Sequence, residues 1–395
     1  MYSGSTVFAQ IIKQAPKRRF HGLVKKYKGD HKTHKFRCWD QFLCMSFAQL
    51  TYRNSLRDIE ACLQAQPQKL YHMGIHGNPT RNNLANANLN RDWRIYAEFA
   101  QILISQARTL YQDEQPFSIE LDNTVYALDS STIDLCLSLF PWAKFRTTKG
   151  AVKIHTLLDI RGSIPSCIII TDGSVHDVNI MDELIFEPRA YYIMDKAYID
   201  FKRLYRIHKS LGYFVVRAKK NFQYKRLYSS QIDETLGVRS DQIIKANGDK
   251  AKYNYPEKLR RIRFYDIETG KYFEYLTNNF EIPAVVIAEF YKNRWKIELF
   301  FKWIKQHLKI QKFFGNSLNA VKTQIWIAIS VYVIVAIVKK KFRLKLSLYT
   351  ILQILSVSLF ENVSLVDLLT DTPKIEVENQ NENQTSIFDF LETNA

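Results

Sequence analysis

The chain has 395 residues, 46% hydrophobic and 24% charged, which predicts two or three globular domains and excludes a disordered polymer, a collagen and a coiled rod. Lys and Arg number 56 against 39 Asp and Glu, a net charge of +17. The stretch Asp371–Ala395 holds six acids and one Lys, so the residues before it carry +22 and favour a polyanionic partner.

Five cysteines (Cys38, Cys44, Cys62, Cys136, Cys167) form no CxxC pair, which points to reduced thiols in a cytoplasmic protein and away from a zinc site. Residues Met1–Gln10 lack the basic and apolar regions of a secretory signal. The apolar run Ile325–Val338 is shorter than the roughly 20 residues a bilayer span needs, so a buried core helix is expected and no membrane partner.

In chain order, residues 1–112 read as a basic helical DNA-binding domain. Nine Lys or Arg and one acid lie between Lys17 and Arg37, interleaved with Phe20, Tyr27 and Phe36. Trp39–Gln64 predicts two amphipathic helices broken near Thr51–Ser55, with Asn54-Ser55 capping the second. Phe117–Leu121 and Thr124–Asp129 alternate like strands around an Asp122-Asn123 turn, and Val152–Leu158 and Ser166–Thr171 flank an Arg161-Gly162 hairpin. Tyr191–Met194 reads as a buried strand ending at Asp195, followed by a helix from about Phe201. Residues 113–210 thus read as α/β, and 211–280 as strand-rich with a turn at Thr269-Gly270. Residues 281–312 read as one long helix from Pro283 to about Leu308. Residues 313–372 are a carboxy-terminal helical region, broken from that helix at Gly315-Asn316, and 373–395 an acidic disordered tail.

The long helix carries the most informative pattern. At about 100° per residue, Tyr291, Arg294, Glu298 and Lys305 share an arc of about 60°, beside an apolar arc of Phe290, Ile297, Phe301, Ile304 and Leu308. The bland alternative is a solvated face with Arg294–Glu298 and Glu298–Lys302 ion pairs worth about 0.3–0.5 kcal/mol each. Two further acids weigh against it. Asp129 ends the predicted strand VYALD and Asp195 the strand YYIMD; side by side and parallel, such strands would point both carboxylates into one crevice. Together with Glu298 they would repel unless a divalent cation neutralised them, which points to Mg²⁺.

Here the sequence resembles a known family. ALDSSTIDL around Asp129, YYIMDKAYID around Asp195 and YKNRWKIELFFKWIK around Glu298 look like the three blocks of a DDE transposase. Tyr291, Arg294, Glu298 and Lys305 match the Y-(2)-R-(3)-E-(6)-K signature of the bacterial insertion-sequence group four. The resemblance covers about residues 115–310, and KGAVKIH (149–155), TDGSVHD (171–177) and LTNN (276–279) fit it. It implies a ribonuclease H-like core with a β-rich insertion, flanked by a helical amino-terminal DNA-binding domain and carboxy-terminal helices. It implies cut-and-paste chemistry with Asp129, Asp195 and Glu298 as catalytic residues holding two Mg²⁺ ions, Mn²⁺ substituting. Tyr291, Arg294, Trp295, Lys302 and Lys305 would bind double-stranded DNA, held by a homodimer that assembles on it.

Rival acids are Asp122, placed in a turn, and Asp134, placed beyond the strand end. Asp172, His176 and Asp177 form a polar cluster whose expected role is structuring a loop, and His155 reads as a hydrogen-bonded core residue. Cys136 and Cys167 have apolar neighbours and are expected to pack. Two other functions share much of this pattern: a nuclease that cleaves without rejoining, and a catalytically silent DNA-binding protein derived from a transposase.

Overall fold

Helices come first, as the apolar periodicity predicts: α1 (Val7–Ile12), α2 (Lys17–Lys26), α3 (Cys38–Leu50), α4 (Leu56–Gln64), α5 (Pro67–Leu70), α6 (Arg81–Asn90) and α7 (Arg94–Tyr111). The computed structural model describes residues 5–147, 149–306 and 313–370. The helix end near Leu308 and the acidic tail therefore lie outside the described residues. The predicted break between α3 and α4 is present, and the Ser55 hydroxyl caps α4 by accepting from the Asp58 amide at 3.1 Å. The amphipathic reading of α3 is corrected, because every residue from Cys38 to Leu50 is buried. Helices α2, α4 and α6 pack around it; Asp40 and Gln41 find partners internally, whereas the Ser46 hydroxyl and the Gln49 side-chain oxygen are buried without one. Asp40 accepts backbone N–H groups from Arg37 (2.9 Å), His76 (2.9 Å) and Gly77 (3.1 Å).

A single ten-stranded sheet follows: β1 (Val125–Leu135), β2 (Lys144–Arg146), β3 (Lys149–Asp159), β4 (Ile164–Asp172), β5 (Tyr191–Met194), β6 (Tyr213–Arg217), β7 (Tyr224–Ser229), β8 (Val238–Ala246), β9 (Lys258–Asp266) and β10 (Lys271–Thr277). Its order is β2-β3-β1-β5-β6-β10-β9-β8-β7, with β4 also on β3. The β3–β4 hairpin turns at Gly162, whose φ of +67° suits a residue without a side chain. Strands β1, β5 and β6 run parallel, and α8 (Phe201–Lys209) crosses from β5 to β6. The remaining pairings are antiparallel, so β7–β10 extend the sheet as a meander with α9 (Asp249–Asn254) beside it.

Two strand expectations are corrected. Phe117–Leu121 is not a strand. The Phe117 ring packs on Phe290 and the Ser118 amide donates to Glu289 at 3.0 Å, so side chains rather than a ladder hold the segment. Asp129 does not end its strand either. β1 stays paired with β3 as far as Leu135↔Gly150, whereas its parallel pairing with β5 stops at Leu128↔Met194.

After the sheet come α10 (Ala284–Lys292), α11 (Trp295–Gln306), α12 (Leu318–Lys341), α13 (Leu348–Ser358) and α14 (Leu365–Thr370). The single long helix of the sequence reading is thus two helices. Between them the amides of Arg294, Lys296 and Ile297 reach back only three residues, to Tyr291, Asn293 and Arg294 (3.0, 3.1 and 3.1 Å). The Glu289 carbonyl accepts both the Asn293 amide (3.0 Å) and the Asn293 side chain (2.9 Å), which closes the last turn of α10. The hydrophobic periodicity continues through this break, which is why the sequence concealed it. Helix α12 is apolar and long enough to cross a membrane, yet 94% of its most apolar window is buried within the fold. It lies against α7, α3 and α6.

Candidate active site

The site begins at the fork where β1 continues and β5 ends. Asp129 and Asp195 each sit one residue past the last parallel pair, Leu128↔Met194. Neighbouring strands are about 4.8 Å apart, so the two carboxylates emerge beside each other. Beyond Asp195 the chain tightens into a 3₁₀ turn, Lys196–Tyr198, that carries it away from the sheet. Glu298 arrives from the first turn of α11, which packs against β1.

Arg294 ties these elements together. Its guanidinium donates to Asp129 at 3.0 Å and to Glu298, and its Nε is buried without a hydrogen-bond partner. From the other side of the helix break, the Tyr291 hydroxyl donates to Asp195 at 3.3 Å, with its ring against Tyr275. The break lets two residues three apart reach two different acids. Burial pushes the Asp129 carboxyl up to about 6. Arg294 and the Ser130 amide oppose that shift, while Glu298 and Asp195 add to it. Burial also raises the Tyr291 phenol, so it acts as a neutral donor. Burial disfavours the Arg294 cation, but Glu298, Tyr291, Asp129 and Asp195 outweigh it and hold the guanidinium charged.

A cleft of about 350 Å³ opens here, lined by Asp129, Ser130, Ser131, Glu298, Phe301, Lys302 and Lys305. Two of the five residues expected on DNA, Lys302 and Lys305, thus line it. Lys302 is exposed; Lys305 is half-buried, and burial lowers its pKa against the pull of Asp134. Tyr291 and Arg294 contact the acids themselves, and Trp295 starts α11 partly buried. The structure brings together Asp129, Asp195, Glu298, Tyr291 and Arg294. Carboxylate oxygens suit a hard divalent cation, yet among the described residues no three His, Cys, Asp or Glu side chains converge on one point. Arg294 stands between two of the acids.

The rival acids fall elsewhere. Asp134 lies inside β1, not beyond it, and Asp122 precedes the strand. Asp172 caps a turn through the Ser174 amide at 2.9 Å, and Asp177 faces Lys153 at 3.1 Å and His155 at 3.9 Å. His155 is buried and shares a 3.0 Å hydrogen bond with Thr171. Cys136 is exposed with its sulfur 3.1 Å from the Ser138 hydroxyl, which corrects the packing expected for it. Residues that sequence reasoning missed are Ser130, Ser131 and Tyr198. The Tyr198 hydroxyl is buried near Ser130, Asp129, Asp177 and Asp195, with no hydrogen bond of good geometry. Its place three residues after Asp195 was the only signal, and a tyrosine between Ala197 and Ile199 reads as core.

Comparison with known proteins bears on this site. Residues 120–334, more than half of the chain, match the transposase DDE domain, and residues 3–76 match a domain of unknown function, DUF4372. A protein of Sinorhizobium fredii named as transposase y4zB is 32% identical over 287 residues, covering 72% of this chain and 78% of its own. A Geobacillus stearothermophilus protein named as a transposase for insertion sequence element IS5377 is 27% identical over 219 residues, 55% of this chain and 57% of its own. A solved piggyBac transposase synaptic complex with hairpin DNA aligns over 96% of this chain and 83% of its own, at 13% identity and a TM-score of 0.43, a likeness too slight to carry an argument. The family match and the first relative settle the membership: the chain belongs to the DDE-domain transposases, enzymes that cleave and transfer DNA in dependence on a divalent metal.

Proposed function

We propose that this transposase cuts at terminal inverted repeats and joins the freed ends to target DNA, with Asp129, Asp195 and Glu298 as its catalytic acids. The observation that carries this reading is the fork between β1 and β5, which sets Asp129 beside Asp195 and faces them with the first turn of α11. The strand order β4-β3-β1-β5-β6, antiparallel in its first three members and parallel in the rest, supports a ribonuclease H-like core. The spacing of Tyr291, Arg294, Glu298 and Lys305 supports the Y-R-E-K type.

The donor set fits magnesium. It is made of carboxylate oxygens, one of them on a half-buried Asp129 whose charge burial disfavours, and a cation is already drawn to it in the form of Arg294. Asp129, Asp195 and Glu298 would hold two Mg²⁺ ions, or Mn²⁺ in their place, which supply a nucleophilic oxygen at neutral pH and charge stabilisation at phosphorus. The chain itself holds and orients the substrate. Lys302 and Lys305 line the cleft where the strand would lie, Arg294 and Tyr291 donate N–H and O–H groups to the acids beside it, and Trp295 opens the helix that carries Glu298. The basic helices before residue 112 supply sequence-independent affinity for duplex DNA, and two chains hold the two ends in a homodimer assembled on DNA in the bacterial cytoplasm.

Incubating purified protein with DNA carrying the flanks of its own gene, with Mg²⁺ or Mn²⁺, tests this reading. Joined products are expected. Cleaved products alone would replace it with a nuclease, and a gel shift without breakage with a silent DNA-binding protein.

A further inference from the structure

The position of Arg294 carries an inference that rests on the metal-dependent reading above and goes beyond it. Its guanidinium lies between Asp129 and Glu298, on two of the oxygens a divalent cation would take. A third donor, Nε, is buried with no partner. An arginine placed for structure uses all its donors, because a buried N–H left unpaired is costly. This one is held by charge and incompletely by hydrogen bonds.

We propose that Arg294 is a resident counter-cation that competes with the divalent metal, and that a phosphate of bound DNA draws it off and opens the acids to the ion. The chemistry is an exchange of partners. A guanidinium is always charged and pairs equally well with a carboxylate or a phosphate. With no DNA it screens Asp129 from Glu298, which would otherwise repel across a partly buried gap. With a strand in the cleft beside Lys302 and Lys305, the phosphate offers oxygens that Arg294 can reach in place of the carboxylates. Metal loading then follows DNA binding, and the free enzyme is kept from hydrolysing whatever it meets. No covalent step is involved.

The test is isothermal titration of Mn²⁺ into the full chain, alone and with mixed-sequence duplex DNA, for wild type, Arg294→Gln and Arg294→Lys. Without DNA, Arg294→Gln should bind Mn²⁺ about tenfold more tightly than wild type, one charge-assisted hydrogen bond's worth of competition, and Arg294→Lys should lie near wild type. DNA should tighten wild type towards the Arg294→Gln value and leave that variant little changed. Equal affinity of wild type and Arg294→Gln in the absence of DNA would overturn the competition, and no gain for wild type on adding DNA would overturn the exchange. Asp195→Asn separates this from the parent reading. Mn²⁺ binding undiminished in that variant would remove the metal site itself, whatever Arg294 does. Thermal melting of each variant shows whether it folds.

Discussion

Arg260 and Arg294 are both arginines that meet carboxylates below the surface, and they meet them differently. Arg260, on β9, lays its fork on Asp241 of β8 at 2.9 and 2.7 Å and gives its remaining nitrogen to the Ile282 carbonyl at 2.6 Å. Every donor group is engaged, and both partners are buried. Arg294 divides itself between two acids from different elements and leaves Nε unpaired, beside a carboxyl that burial pushes up to about 6. The first arrangement ties β9 to the chain entering α10 and has nothing left to offer a ligand. The second is unfinished, and its unmet demand can be answered only by something that arrives. Buried charge by itself does not mark a functional site; incomplete satisfaction, at a cleft, does.

The comparison can be broken or sharpened in four ways, beginning with the largest effect. Asp195→Ala should lower cleavage by more than about a thousandfold while leaving DNA binding by gel shift nearly intact, because it removes a proposed catalytic acid and no fold contact beyond the Tyr291 hydroxyl. Undiminished cutting would take Asp195 out of the site. Arg260→Ala should cost about 3–5 kcal/mol in urea unfolding, since it strands a buried Asp241, and added Mg²⁺ should not restore it. For Arg294→Gln a smaller loss of about 1–2 kcal/mol is expected, and Mg²⁺ should reverse it; the same response in both variants would erase the distinction.

His155 gives the third measurement. Burial lowers its pKa to about 4, with Asp177 opposing. The unfolded chain, with an ordinary imidazole near 6.5, therefore binds more protons between pH 6.5 and 4, and stability falls as pH drops through that window. Relative to His155→Gln, wild type should lose roughly 3 kcal/mol across it; parallel stability curves would show that the ring is not held neutral. The smallest effect is expected at Lys305, where substitution by Ala should reduce the salt dependence of DNA binding by about one unit of slope. An unchanged slope would mean that this half-buried lysine touches no phosphate.

Much of this fold could be read from local pattern. Tyr191–Met194, the Arg161-Gly162 hairpin and the cap at Ser55 each follow from a few adjacent residues, and each is where the sequence placed it. What escaped was set by partners distant in the chain. Phe117–Leu121 alternates as a strand does, but its contacts are with α10, more than 160 residues later. The break at Asn293–Arg294 lies in backbone hydrogen bonds that reach back three residues, and it leaves the hydrophobic period intact. Of the site, Asp129, Asp195, Glu298, Tyr291 and Arg294 were singled out because their blocks resemble a family, and the fold brings them together. That Tyr291 and Arg294 would face the acids was not, because it depends on how α10 and α11 meet the fork. Tyr198 was hidden by the ordinary look of an aromatic among apolar neighbours.

Helix α12 has a consequence for anyone who would divide this protein. Its walls come largely from the leading helices: Asn319 donates to the carbonyls of Asn88 and Arg91 at 2.9 and 2.7 Å, and Tyr111 donates to the Ala336 carbonyl at 2.9 Å. Trimming away the leading helices to isolate a catalytic fragment would strip the roof from a greasy rod of 24 residues. Such a fragment is expected to clump or to seek detergent, and its inactivity would say nothing about where DNA is gripped.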